Sequence, residues 1–109
     1  MRIKTINAEE TDKITCPICG KKLINGEGLM DQCKHVLLWS GTMADDENPL
    51  FAKNKKIANC YIHLYKQGHS KHQIIQTIYG NNPDVKIICF DEGYLGGCQY
   101  AKTWIAFSA

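Results

Sequence analysis

The apolar positions of this chain fall into runs of two different periods, and those runs predict its elements. His35-Val36-Leu37-Leu38-Trp39-Ser40 is apolar on both faces, the pattern of a strand covered on both sides. Val85-Lys86-Ile87-Ile88-Cys89-Phe90 is rich in β-branched residues and predicts a second strand. Lys102 to Phe107 predicts a third, with Trp104 and Ala106 on one face and Thr103, Ile105 and Phe107 on the other. Between the first two strands the period becomes helical. Leu50, Ile57, Tyr61 and Leu64 form one stripe, and Phe51, Ala58, Ile62 and Tyr65 the adjoining one. Residues 50–66 therefore predict an amphipathic helix, with Gly68 just past its C-terminus. Ser70 and Gln73 have the spacing of a capping box. Ile74, Ile75, Ile78 and Tyr79 give the helix that follows its apolar face, and Gly80-Asn81-Asn82-Pro83 ends it.

The stretches between these runs are polar. Residues 1–15 predict a short strand or arm, with Ile3, Ile6 and Ile14 as its large apolar residues. Asn25-Gly26-Glu27-Gly28 is a turn signal, Ala44 to Pro49 an acidic loop, and Asp91 to Gly97 a glycine-rich turn. The simplest packing is an α+β fold. A small antiparallel sheet of residues 35–40, 85–90 and 102–107 carries both helices on one face, with residues 16–35 at one end. At 109 residues the chain predicts a single domain, 1–109, of which 36–109 are the α+β body.

Residues 16–35 bring in the chemistry. Cys16 and Cys19 are two residues apart, and their sulfurs can turn toward one point if the backbone bends between them. Pro17 fixes φ near the start of that bend, and Gly20 can take the left-handed conformation that closes it. Backbone amides in such a knuckle can donate to thiolate sulfur. Cys33 and His35 have one residue between them, and on an extended strand i and i+2 share a face. Three Cys and one His form a closed tetrahedral set for a structural Zn²⁺, with Zn–S of ~2.3 Å and Zn–N of ~2.0–2.1 Å. One such ion per chain is expected. The CPxCG knuckle with a second ligand pair further on resembles the zinc-ribbon and zinc-knuckle group over residues 16–35. Its second pair is C-x-H in place of the commoner C-x-x-C. The resemblance implies a small N-terminal ribbon gripping a structural metal, and it implies no particular activity. The spacing leaves Cys89 and Cys98 as competitors of His35 for the fourth position. A redox reading of C-x-x-C needs a helix opening at the motif, which Pro17 and Gly20 disfavour.

Charge and composition narrow the remaining choices. Hydrophobic residues are 44% and charged residues 22%, which is ordinary for a globular protein. The net charge of +2 is too small to predict nucleic-acid binding by itself. Lys53, Lys55, Lys56, Lys66 and Lys71 nonetheless gather around the helix pair and form a candidate nucleic-acid face. Six cysteines without an apolar leader, and no run approaching ~20 apolar residues, point to a cytoplasmic protein with no membrane span. Cys60, His63, His69 and His72 offer a conceivable second metal site, against which the helical wheel turns His63 away from the apolar stripe. Cys98 is the candidate nucleophile if the chain is a cysteine enzyme. No catalytic motif is present, so the expectation is a non-enzymatic protein-interaction module. Nucleic-acid binding is the first alternative, and cysteine-dependent enzymatic or redox chemistry the second.

Overall fold

A computed structural model of the chain describes residues 3–6, 14–23, 33–41, 46–90, 93–95, 98–100 and 102–109, with backbone alone for 3–6, 90, 93–95 and 98–100. The turn expected at Asn25–Gly28 lies outside these residues, as do Ala44 and Asp45, Asp91 and Glu92, and Gly96 and Gly97. In chain order the elements are β1 (Ile3–Ile6), β2 (Val36–Trp39), β3 (Phe51–Ala52), α1 (Lys55–Lys66), α2 (Lys71–Tyr79), β4 (Lys86–Phe90), β5 (Gly93–Leu95), β6 (Cys98–Tyr100) and β7 (Thr103–Phe107).

The architecture is α+β. Five strands form one sheet in the order β1-β4-β7-β2-β3. β4, β7, β2 and β3 are antiparallel to their neighbours, and β1 adds to β4 in parallel. The three strands expected from the apolar runs are contiguous at its centre. β4 and β7 pair along their whole length, from Lys86 opposite Phe107 to Phe90 opposite Thr103. β5, within the stretch 91–97 expected as a turn, pairs with β6 just beyond it as a small separate two-stranded sheet.

Both helices cover one face of the sheet. There Leu38, Ile87 and Ala106 pack with Tyr61, Ile74, Ile75, Tyr79 and Val85. The opposite face carries a second buried cluster. Ile14, Cys16 and Leu23 lie against Val36, Trp39, Ile88, Ile105 and Phe107. The described part of the segment expected at one end of the sheet therefore covers its second face. The reason is apolar area: Ile14 and Leu23, which flank the knuckle, are fully buried and need the sheet's second face as much as it needs them. β2 serves both clusters because its register shifts between Val36 and Leu38. Val36 faces the knuckle side with Phe107, whereas Leu38 faces the helices with Ala106, although residues two apart on a regular strand share a face.

The first helix begins later than its apolar stripe suggests. The Leu50 amide donates to the Trp39 carbonyl (2.8 Å) and the Lys53 amide to that of Leu37 (2.9 Å), so this stretch is a strand beside β2. Asn54 then caps α1, its Oδ1 accepting from the Ile57 amide at 3.0 Å. The C-terminus closes as expected at Gly68, whose φ is +91°. The His69 amide reaches the Leu64 carbonyl (3.2 Å) and the Gly68 amide that of Tyr65 (3.0 Å), a Schellman closure. The capping box of α2 is formed in both directions, Ser70 with Gln73. A partly buried network ties the loop before β3 to the helices. The Tyr61 hydroxyl donates to the Asp46 carbonyl and accepts from the Gly41 amide, while Lys71 Nζ donates to the Gly41 carbonyl and Asp46 Oδ1. Among the described residues no helix is long and apolar enough to cross a membrane.

Candidate metal centre

The first ligand pair sits on a tight hairpin. Thr15 and Lys22 bridge its arms, and the Leu23 amide donates to the Ile14 carbonyl at 2.9 Å. Inside the hairpin the Cys16 amide donates to the Lys21 carbonyl (2.9 Å) and the Gly20 amide to the Cys16 carbonyl (2.8 Å). Closing it so tightly requires the left-handed conformation at Gly20, with φ +76°. Cys16 is buried within the core, while Cys19 projects into solvent.

The second pair is held differently from the strand expected for it. Cys33, Lys34 and His35 precede β2, and the Val36 amide closes a turn on the Cys33 carbonyl at 3.3 Å. The His35 carbonyl accepts from the Ser108 amide (3.0 Å), which fixes this turn to the end of β7. A turn serves here because it also aims an amide at sulfur. The amide two residues beyond each cysteine donates to its Sγ: Ile18 to Cys16 at 3.4 Å, Lys21 to Cys19, and His35 to Cys33.

These turns bring Cys16, Cys19, Cys33 and His35 together. Their ligand atoms all lie within 4.8 Å of one another, and Cys33 Sγ is 4.0 Å from His35 Nδ1. A tetrahedron with ~2.3 Å bonds has edges of ~3.8 Å, so each donor need move inward by less than ~1 Å to hold an ion. The residues present fit a metal: three soft sulfurs and one imidazole, with amides already directed at the sulfurs. Cys16, Cys19, Cys33 and His35 could thus hold a metal ion. The electrostatics differ among the sulfurs. The Lys21 amide pulls the Cys19 thiol down to about 7, desolvation opposing it and His35, Cys16 and Cys33 adding to it. Desolvation raises the Cys33 thiol, and the neighbouring Cys16 adds to that rise against the His35 amide. A bound cation would remove this conflict by stabilising all three thiolates at once.

The other sequence candidates lie elsewhere. Cys89 is buried on β4 and its backbone pairs with Trp104, whereas Cys98 pairs with Leu95 in the β5–β6 hairpin. The two cysteines therefore belong to different ladders, and Cys89 is not among the converging donors. The Cys98 side chain is outside what the structure describes. None of the described cysteines is in a disulfide. Cys60, His63, His69 and His72 do not converge, and His72 instead stacks on Trp104 with ring centroids 5.7 Å apart. Among the lysines, Lys53, Lys55 and Lys56 are exposed. Lys66 is 3.3 Å from Glu47, and Lys71 is engaged with Gly41 and Asp46, its side chain only 12% exposed. Nothing near Lys71 in the chain marks its structural role, since its partners lie 25 and 30 residues away.

No family model matches the chain, and neither does any curated protein or solved structure.

Proposed function

We propose that Cys16, Cys19, Cys33 and His35 hold one structural Zn²⁺, and that the protein is a non-enzymatic interaction domain whose fold that ion completes. The observation that carries the reading is the convergence of four donors from two separate turns, residues 16–19 and 33–35, within 4.8 Å. Three thiolates and an imidazole suit Zn²⁺, and four protein ligands leave no open position for a substrate, which marks the site as structural. The ion would supply charge neutralisation and a crosslink. Cys16 is packed in the core beside Ile14 and Leu23, so the crosslink would hold the hairpin against the sheet. In this reading residues 16–35 are a zinc ribbon on a single-domain α+β body. Reduced cysteines suit a cytoplasmic setting.

Removal of the ion with a chelator tests the reading. The expected result is loss of near-ultraviolet circular dichroism from buried Trp39, with a lower thermal midpoint that added Zn²⁺ restores. An unchanged spectrum and midpoint would contradict it.

A further inference from the structure

Among the described residues β3 is the terminal strand of the sheet on its side, paired to β2. Leu50 and Lys53 at its ends direct their amides to β2, so the stretch is held extended. An open groove of about 610 Å³ lies between this edge and α1. Its apolar wall is made by Leu50, Phe51, Ala58 and Ile62, each only partly covered. Lys53 and Lys55 also line it, and among the described residues no acidic one does. Among the described residues neither lysine, nor the adjacent Lys56, has an ion pair. The first turn of α1 contains no acidic residue either, so the positive end of its dipole adds to the same field. A helix start loaded with uncompensated lysines is unfavourable for the isolated chain, and an anionic partner would relieve it.

We propose that this groove docks an extended acidic segment of a partner protein, which adds as a strand along β3. Main-chain hydrogen bonds to the edge would supply affinity. Alternate side chains would fill the apolar wall and meet the lysines, as the two-residue period of a strand allows. A nucleic-acid backbone would also answer the charge, but it has no use for a strand edge or an aliphatic wall. The inference builds on the reading of the chain as an interaction domain and names its surface and the chemistry of its partner.

The test uses a labelled short peptide alternating valine and glutamate, with a valine–lysine peptide and a single-stranded oligothymidylate as comparisons. The valine–glutamate peptide binds, and hydrogen exchange slows at Phe51 and Ala52. The double variant Lys53→Glu/Lys55→Glu weakens that binding by about tenfold or more and gains affinity for the valine–lysine peptide. Absence of peptide binding, or of protection at Phe51 and Ala52, overturns the proposal. So does binding that the charge reversal leaves unchanged, or preferential capture of the oligothymidylate by the unaltered protein. Self-association that Ile62→Asp abolishes, with no peptide bound, would give the groove to a second copy of the chain and overturn it too. Zinc is assayed in the same samples. Failure of the groove leaves one ion per chain, whereas failure of the metal reading shows as absent zinc whatever the peptide does.

Discussion

Tyr79 is 7% exposed and among the described residues its hydroxyl has no hydrogen-bond partner, so the fold desolvates this group without compensation. Burial first, and the charge of Cys60 second, push its phenol up to about 12. Tyr79→Phe keeps the ring and removes the orphaned oxygen, and denaturant titration is expected to show unchanged stability or a gain of up to about 1–2 kcal/mol. The folded state holds the phenol proton more tightly than the unfolded chain does. Its contribution is therefore complete below pH ~10 and is lost as the pH rises toward 12. That alkaline decline should be shallower in Tyr79→Phe. Lysines of one helix pair divide in the same physical way. Lys71 bridges Gly41 and Asp46 from a mostly covered position, and Lys71→Ala is expected to destabilise by about 1–3 kcal/mol. Lys55→Ala, at an exposed position, should change stability by no more than about 0.5 kcal/mol in the same titration.

Helix ends and strand centres were the most legible elements, because local chemistry decides them. Ser70 and Gln73 form their capping box from residues three apart, and Ser70→Ala should lower stability by about 1 kcal/mol by thermal unfolding. Gly68 closes α1 where the left-handed position was expected. The alternation in Thr103–Phe107 correctly divided its side chains, with Trp104 and Ala106 toward the helices and Ile105 and Phe107 toward the knuckle. Where long-range partners decide, the sequence was less informative. Leu50 and Phe51 continue the helical stripe of α1, yet their backbone is taken by β2 and Asn54 starts the helix afterwards. The four converging donors were readable from spacing, whereas the turn holding Cys33 and His35 was not. A C-x-H pair suits a strand as well as a turn, and it is the His35 amide's approach to Cys33 sulfur that distinguishes them. The bulge in β2 had no local marker. It is visible only through the two clusters that Val36 and Leu38 enter.

On the scale of the molecule, one sheet separates two cores, and only one of them contains a residue of the candidate metal site. The helix-side cluster rests on large aliphatic and aromatic contacts, and Ile75→Ala within it should lower stability by about 2–5 kcal/mol. The opposite cluster includes Cys16 itself and is covered by a ten-residue hairpin, 14–23, whose arms share a single bridge. The hairpin is closed on itself by its own backbone hydrogen bonds, and an ion linking it to the Cys33–His35 turn would fix where it lies against the sheet. The measurement that decides this most directly is native mass spectrometry of the protein and of Cys33→Ser, both purified without added metal. One Zn²⁺ per chain in the parent and none in Cys33→Ser is the predicted result. A metal-free parent, or zinc retained by Cys33→Ser, would contradict the proposed four-ligand site.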